Sequence, residues 1–280
     1  MKSFDEYYFD IYGARWSQLR ESLISETHKV FLASQENAEK YKLRPTEIPS
    51  VYIDSTGMKQ LEGCYALDLA SVLATTLVDV PKNGIVLDMC SAPGGKALCY
   101  LWAHKNKGIQ WILNDLSSNR VARLKNVVHE FAPPSEHSSI KVYNRDASRW
   151  GLREPNTMDL VVLDAPCSGE RNIVNSQSDL KEWTQKRTKY LHIRQLSLAC
   201  AAIDCLKVGG HLIYSTCSIS PHENDELIGK LLKKRAGKIS TQPIENITLG
   251  QPTKYGWEIY PDLCDGYGPI YCAKIKKTAP

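Results

Sequence analysis

Residues 85–96 read IVLDMCSAPGGK, an apolar run of strand length that ends at an acid and continues into a proline and two glycines. The glycine turn then opens a helix, and strand, turn and helix in this order are typical of a doubly wound α/β sheet. Two adjacent glycines also allow the backbone to approach a ligand closely. Taken alone the signal is weak, because such a turn also occurs as plain architecture.

Four further apolar or β-branched runs follow, separated by helix-length segments, and they span 109–113, 140–143, 160–163 and 211–214. This alternation predicts an α/β fold with a mostly parallel sheet covered by helices on both faces. Near the end of the chain, two strand-like runs flank the turn sequence DLCDGYG, which predicts a closing antiparallel hairpin of 256–260 and 269–275. In such a sheet the ligand lies beyond the carboxyl ends of the strands.

The composition changes near residue 80, at VPKNG. Before it, ARWSQLRESLI and CYALDLASVLATTLV both have helical apolar spacing. We therefore predict a small, mostly helical N-terminal extension, 1–80, packed on a main domain, 81–280. Trp16, Leu19 and Leu23 are expected to form the core of this extension rather than a binding surface.

The nine cysteines are odd in number and scattered, without a CxxC pair or a zinc-like Cys/His spacing, so no metal site is expected. Reduced thiols in a reducing compartment are the simplest interpretation. The sequence has no run of about 18 apolar residues that would cross a membrane. Its opening, MKSFDEYYFD, differs from a secretory signal or an acid-poor transit peptide.

Lysine and arginine exceed aspartate and glutamate by 35 to 31, a net charge of +4 that is too small to establish a polyanionic partner. The positive charge is concentrated in residues 181–194 and 230–238. Two interpretations remain open for these runs: solvated helix faces, or a surface that binds phosphates.

Two acids follow predicted strands at positions suited to a nucleotide-like ligand. Asp115, in NDLSSNR, lies about 20 residues past the glycine turn, where an acid accepts hydrogen bonds from ribose hydroxyls. Asp146, in NRDAS after the next strand, is expected to face the adenine edge. A helix cap is the alternative for each acid, but a third strand that also ends in an acid makes coincidence a poor explanation.

Two cysteines emerge where later strands end, Cys167 in LDAPCSGERN and Cys217 in IYSTCSISPHEND. If the two strands are neighbours, they lie roughly 5 Å apart, so both thiols share one pocket with Asp164. The remaining cysteines are expected to be small buried hydrophobic residues. They are Cys64, Cys90, Cys99, Cys200, Cys205, Cys264 and Cys272.

The motifs DMCSAPGGK, NDLSSNR, DAPCSGER and YSTCSISPHEND, in this order and spacing, resemble the Sun (NSUN) family of RNA cytosine-5 methyltransferases. The resemblance covers nearly the whole chain. The less diagnostic end segments, YFDIYGARWSQLRESLISE and WEIYPDLCDGYGPIYCAKIKK, look like the mitochondrial branch of the family, especially its small-subunit rRNA methyltransferase. The resemblance implies a Rossmann-like class I methyltransferase fold and S-adenosylmethionine as the cofactor.

The chemistry of this family explains the need for thiols. Carbon 5 of cytosine is a poor nucleophile, so a thiolate first adds to carbon 6. By resemblance Cys217 is the attacking thiol, Cys167 assists release of the methylated RNA, and Asp164 hydrogen-bonds the N3/N4 edge of the base. Because a free thiol is only a few per cent ionised at pH 7, a cation at Lys96 would help.

The resemblance carries the cofactor site over to eight residues. The sequence has Met89 and Ser91 around Cys90 where CAAPGGK is commoner, a change that leaves the proline, the glycines and the lysine in place. RNA contacts are expected in the basic run and just after Cys167, at Arg171, Lys186, Arg187, Lys189 and Arg194. The cofactor residues are Gly94, Gly95, Lys96, Asp115, Arg120, Asp146, Ala147 and Asp164.

Three alternatives accompany this assignment. In a DNA cytosine-5 methyltransferase the proline-cysteine motif would make Cys167 the nucleophile, but an ENV-type glutamate motif and a long target-recognition region are missing from the sequence. A mitochondrial tRNA is a second possible substrate, and a largely structural ribosome-assembly factor is a third role. The resemblance further implies the mitochondrial matrix, with the cytoplasm as alternative, and an mTERF-family protein or the pre-ribosomal small subunit as partner.

Overall fold

The computed structural model describes residues 2–245 and 247–280. The first two helices confirm the predicted helical start of the chain, and Trp16, Leu19 and Leu23 are buried in one cluster with aromatic side chains of the first helix. The N-terminal elements are α1 (Phe4–Tyr12), α2 (Arg15–Ile24), β1 (Val30–Leu32), α3 (Gln35–Lys40), β2 (Arg44–Pro45), β3 (Val51–Ile53), β4 (Tyr65–Leu67) and α4 (Leu69–Leu73).

The prediction of a mostly helical extension missed a four-stranded antiparallel sheet, in the order β2-β3-β1-β4. The helical spacing of 64–78 was misleading, because Tyr65–Leu67 pairs with β1 instead. Asp68 then caps the short α4, its carboxylate accepting from the Ala70 amide at 2.8 Å. Strands of two or three residues leave almost no alternation in the sequence, so only cross-strand pairing reveals them.

The larger sheet has nine strands. They are β5 (Ile85–Asp88), β6 (Gln110–Asn114), β7 (Ile140–Tyr143), β8 (Met158–Asp164), β9 (Leu206–Thr216), β10 (Ile239–Gln242), β11 (Gln251–Pro252), β12 (Trp257–Ile259) and β13 (Ile270–Lys277). The intervening helices are α5 (Gly95–Ala103), α6 (Ser118–Phe131), α7 (Trp150–Arg153), α8 (Glu170–Val174), α9 (Gln177–Glu182), α10 (Gln185–Cys205) and α11 (Asp225–Lys234), with 3-10 turns at Pro134–Ser139, Ala147–Arg149 and Pro221–Glu223.

Strands β7, β6, β5, β8 and β9 pair in parallel in that order, which confirms the five predicted strands and their doubly wound arrangement. The chain starts at the centre with β5 and reverses direction between β5 and β8, where such folds bind ligands. The predicted hairpin is also confirmed, since β13 runs antiparallel to both β12 and β9.

Both faces of the sheet are buried, because alternate residues of each strand belong to two different clusters. Leu160 and Val162 of β8 pack with α5 and α6, while Val161 and Leu163 pack with α10 and α11. This arrangement explains why the central strands read as continuous apolar runs.

The small N-terminal sheet packs on the main domain through Val30, Leu32 and Leu67, which join the same cluster as α5. The division near residue 80 stays a prediction. Among residues 2–245 and 247–280, none of the helices has both the length and the apolar composition that a bilayer span requires.

Candidate active site

The carboxyl ends of β8 and β9 bring the two predicted cysteines together. These strands are parallel neighbours with Asp164 opposite Ser215, so the loops that follow them leave the sheet side by side. The Sγ atoms of Cys167 and Cys217 are 2.7 Å apart, and the Cys217 amide donates to Cys167 Sγ at 3.3 Å. Both are free cysteines, Cys217 exposed and Cys167 half-buried.

The surroundings of the two thiols differ in a way that separates their chemistry. The hydrogen bond with Cys217 and then burial raise the pKa of the Cys167 thiol well above its ordinary value. Either sulfur can be the donor in the contact between the two thiols. Of the two residues, Cys217 is the more accessible to solvent.

Lys96 and Asp164 form an ion pair beside the thiols. Lys96 Nζ donates to Asp164 Oδ2 at 2.9 Å, while Ser215 Oγ donates to Asp164 Oδ1 at 3.0 Å. Burial lowers the pKa of Lys96, but the charge and hydrogen bond of Asp164, followed by the two thiols, raise it above its usual value overall. Lys96 therefore keeps its positive charge, paired with Asp164, beside the two thiols.

Two buried glutamates hold the cysteine loops against each other. Glu170 follows Cys167 and accepts from Ser218 Oγ at 2.9 Å and from the Ile219 amide at 3.2 Å, both just after Cys217. Glu223, in the loop of Cys217, accepts from the backbone amide and the hydroxyl of Ser168. Each loop therefore supplies the acid that fixes the other loop.

A cavity of about 380 Å³ opens beyond the ends of β5, β6 and β7. Its walls include Cys90, Leu116, Asp146, Ala147 and Arg194. Two predicted cofactor residues, Asp146 and Ala147, therefore line one cavity. The prediction that Cys90 is simple core is wrong, because it is half-buried and exposed to this cavity, whereas the other six cysteines of that group are buried.

The two acids near this cavity keep their capping bonds as well. Asp146 Oδ1 accepts from the Ser148 amide at 3.0 Å, and Asp115 Oδ1 accepts from the Ser117 amide at 2.9 Å. Asp115 is 2% exposed, and its Oδ2 atom forms an ion pair with Arg120 at 3.1 Å. A buried carboxylate oxygen of this kind fits the hydroxyls of a ribose.

The two glycines of the turn are needed for a reason that the sequence did not reveal. A Cβ at Gly95 would lie 2.7 Å from Leu67 of the N-terminal sheet, and a Cβ at Gly94 would lie 3.0 Å from Val127 of α6. Gly94 also has a φ of +123°, which other residues rarely adopt. The backbone conformation therefore favours glycine at position 94, and at position 95 a side chain would have to displace Leu67.

The predicted RNA contacts fall into two groups. Arg171 donates to the carbonyls of Ser25 at 3.0 Å and Gly266 at 2.9 Å, so its guanidinium ties the N-terminal segment to the loop before β13. Arg171 therefore has a structural role, and its contact with RNA stays a prediction. Lys186, Arg187 and Lys189, by contrast, are exposed at the start of α10.

Sequence reasoning missed three buried acids of the site. Asp88 ends β5 and accepts from the Cys90 amide at 3.3 Å, and burial, helped by Asp164, raises its pKa to about 7. The rule that identified Asp164, an acid where a strand ends, also applies to Asp88. Glu170 and Glu223 do not end a strand. Each pairs with residues of the loop that follows the other strand, so the sequence gives no local indication of their role.

An open, mostly parallel sheet whose first strand leads into a glycine turn, with acids at successive strand ends, defines a class I methyltransferase fold. The crystal structure of NSun6 from Pyrococcus horikoshii has this fold, with a TM-score of 0.82 over 100% of this chain and 99% of that one at 18% identity. Residues 75–276 match the model of the family described as 16S rRNA methyltransferase RsmB/F, and the chain belongs to this family.

Curated relatives support the predicted place near the mitochondrial branch of the Sun family. The chain is 27% identical over 246 residues to the 5-cytosine rRNA methyltransferase NSUN4 of Bos taurus, covering 82% of this chain and 63% of that protein. It is 31% identical over 243 residues to the mitochondrial tRNA (cytosine(34)-C(5))-methyltransferase of Mus musculus, covering 83% and 68%. The chain therefore spans about three fifths of the length of the first of these relatives.

Proposed function

We propose that the protein methylates carbon 5 of a cytosine in RNA, with S-adenosylmethionine as the methyl donor. The observation that carries the proposal is the contact of the two thiols, 2.7 Å apart next to the Lys96–Asp164 pair. A nucleophile, a second thiol and a hydrogen-bonding acid in one site match the requirements of cytosine-5 methylation, and family membership supports the same reaction.

The proposed reaction begins with the Cys217 thiolate adding to carbon 6 of the base, which makes carbon 5 nucleophilic. S-adenosylmethionine, when bound, supplies the methyl group as an electrophilic sulfonium. Asp164 hydrogen-bonds the N3/N4 edge of cytosine, where charge develops in the adduct. Carbon 5 then loses its proton to a base and the bond between carbon 6 and Sγ breaks. The Cys167 thiol donates a hydrogen bond to the departing sulfur of Cys217.

The cofactor residues are proposed from the cavity beyond β5, β6 and β7. Asp115 would accept hydrogen bonds from the ribose through Oδ2, which is ion-paired with Arg120, and Asp146 and Ala147 would border the adenine. Arg120, whose guanidinium contacts the Ala92 carbonyl, stabilises the turn of Gly94 and Gly95. Lys96, at the first turn of α5, would complete the site beside Asp164 and the thiols.

Asp115→Asn is expected to weaken S-adenosylmethionine binding by roughly 10- to 100-fold, because the amide keeps the bond to the Ser117 amide but loses a charged acceptor. Isothermal titration calorimetry measures the dissociation constant. Glu130→Ala, an exposed acid on α6, is the control and should bind normally. An unchanged dissociation constant for Asp115→Asn would contradict the ribose assignment.

The proposed RNA surface runs along one face of α10. Tyr190, Ile193 and Arg194 lie at helical spacing and line the mouth of the cofactor cavity, with Tyr190 64% and Ile193 68% exposed. Lys186 precedes Tyr190 by one turn on the same face. Cations at a helix N-terminus oppose the helix dipole, and bound phosphate would relieve that cost. An exposed aromatic beside cations also suits unpaired bases.

Replacing Lys186, Arg187 and Lys189 together by alanine is expected to weaken RNA binding and to lower the salt dependence of the affinity. Each lost phosphate contact reduces the slope of log K against log salt by about 0.7 for a single strand, so the slope should fall by about 2. Fluorescence anisotropy at several salt concentrations measures it. In the matched control Lys233, Lys234 and Lys238 are replaced by alanine. A larger decrease in the slope for this control than for the α10 variant would indicate that RNA binds near α11.

We propose mitochondrial small-subunit rRNA as the substrate, in the mitochondrial matrix, because the NSUN4 relatives are named for rRNA. A mitochondrial tRNA is the second candidate, since a relative of similar identity is named for tRNA cytosine 34. Bisulfite sequencing of total RNA with and without the protein tests both. Loss of one rRNA cytosine mark supports the proposal, loss of a tRNA mark supports the second candidate, and loss of none contradicts the enzymatic role.

A protein partner is part of the proposal. Extracting a cytosine from its stack costs a few kcal/mol, and one basic helix face supplies little of that energy. An mTERF-family protein or the pre-ribosomal small subunit would add the missing RNA contacts. A largely structural role in ribosome assembly is compatible with the same partner, and tight, selective rRNA binding by the chain alone would count against the need for one.

A further inference from the structure

We propose that the N-terminal helix α1 is a positioning element of the active site, in which Tyr8 and Glu170 together set the geometry of the two catalytic thiols. This inference rests on the proposed function of Cys217 and Cys167. It assigns a role to an acid and a tyrosine outside the cysteine and cofactor residues. The contacts that carry it cross three separate parts of the chain.

Glu170 is the centre of these contacts. Its Oε1 atom accepts from the hydroxyl of Tyr8 and from Ser218 Oγ, and its Oε2 atom accepts from the Ile219 amide. Glu170 and Tyr8 are both 0% exposed. A buried carboxylate without donors is costly, so all three donors are needed to hold it. The Tyr8 hydroxyl therefore helps fix the carboxylate that orients the loop of Cys217.

The helix itself is firmly seated over this loop. Tyr8 stacks on Trp16 and packs with Phe4, Trp183 and Ile219 in one cluster. The hydroxyl of Tyr12 also contacts the Ile219 carbonyl. The N-terminal helix thus forms hydrogen bonds to both the backbone after Cys217 and the acid after Cys167. A shift of α1 would be transmitted to both cysteine loops at once.

The surroundings of Glu170 make its contacts with Tyr8 and with the Cys217 loop sensitive to pH. Burial, followed by the charge of Glu223, raises the pKa of Glu170 to about 7, whereas the Tyr8 hydrogen bond lowers it. Among the described residues, the titratable groups that face it are Tyr7, Tyr8, Tyr12, Glu223 and Cys167. Below that pKa a proton is bound to one of the carboxylate oxygens of Glu170. That oxygen then accepts less well from Tyr8, Ser218 or Ile219. Activity should therefore fall as the pH falls through about 7.

Tyr8→Phe tests the inference, and Tyr7→Phe is the matched control. Tyr7 lies on the same helix and in the same cluster, 5% exposed, but its hydroxyl lies near the Ser220 side chain and makes no hydrogen bond to Glu170. Both variants lose only an oxygen from a buried ring. Loss of one hydrogen bond to a charged group predicts a roughly 10-fold lower kcat for Tyr8→Phe, with KM for RNA unchanged.

The pH profile separates positioning from simple destabilisation. Without the Tyr8 hydroxyl the pKa of Glu170 rises further, so the ratio of the Tyr8→Phe rate to the wild-type rate should increase from pH 6.5 to pH 8.5. If Tyr8→Phe only reduced the amount of folded protein, its rate would be lower by the same factor at every pH. In Glu170→Gln an NH₂ group replaces one accepting oxygen and faces groups that are themselves donors. This variant should therefore lower kcat more than Tyr8→Phe.

A second readout does not depend on turnover. Iodoacetamide modification of Cys167, followed residue by residue by mass spectrometry, should be at least about threefold faster in Tyr8→Phe and Glu170→Gln than in wild type, because a loosened loop uncovers this half-buried thiol. Tyr7→Phe should match wild type. Equal rates in all four proteins, or equal effects of Tyr7→Phe and Tyr8→Phe, would overturn the inference. If wild type forms no 5-methylcytosine, the proposed function fails separately, and the modification rates still decide the positioning role.

Discussion

Cys217→Ala is expected to abolish methyl transfer, with a loss on the order of 10⁴-fold or more, and to form no covalent complex with RNA. The reason is that carbon 5 of cytosine becomes reactive only after a thiolate has added to carbon 6, and Cys217 is the exposed thiol of the pair. Removal of a covalent nucleophile has effects of at least this size in other enzymes. Transfer of a labelled methyl group to substrate RNA measures the loss.

Cys200→Ala is the control for this variant, because Cys200 is a buried cysteine of α10 outside the site. It should keep wild-type activity. Substantial transfer by Cys217→Ala, together with its loss in Cys167→Ala, would reverse the assignment and give the proline-cysteine thiol the role it has in DNA cytosine-5 methyltransferases. The difference in exposure argues against that outcome, since Cys167 is half-buried whereas Cys217 is exposed.

The sheet could be predicted because its signals are local. Each central strand is buried on both faces, so β8 appears in the sequence as an unbroken apolar run that ends at Asp164. The carboxyl ends of parallel strands meet at one edge, and this rule alone placed Cys167 near Cys217 once their strands were assumed to be neighbours.

The remaining features depend on contacts between distant segments. The N-terminal sheet consists of strands of two or three residues, and the stretch 64–78 has helical spacing although Tyr65–Leu67 is a strand. Glu170 and Glu223 look like ordinary loop acids, and their role follows only from the approach of loops that lie about 50 residues apart in sequence. The structural role of Arg171 is of the same kind, since its guanidinium donates to two carbonyls that lie far from it in sequence.

Cys167→Ala is expected to give the opposite result to Cys217→Ala: a stable covalent complex that survives denaturing electrophoresis. In the wild type the Cys167 thiol lies 2.7 Å from Cys217 Sγ and can stabilise this sulfur as it leaves carbon 6. Alanine removes that donor after the adduct has already formed. Loss of a group that acts by general acid–base or hydrogen-bond catalysis slows a step by roughly 10²- to 10⁴-fold, so the adduct should accumulate.

The double variant Cys167→Ala/Cys217→Ala shows which sulfur carries the RNA. If Cys217 is the attacking thiol, the shifted band of Cys167→Ala disappears in the double variant, and peptide mapping of the single variant finds the nucleotide on Cys217. The band should also require methyl donor and substrate RNA together, because the trapped species is the methylated adduct. A Cys167→Ala protein that turns over at the wild-type rate would mean that the contact between the two sulfurs serves packing alone, and that release proceeds without a second thiol.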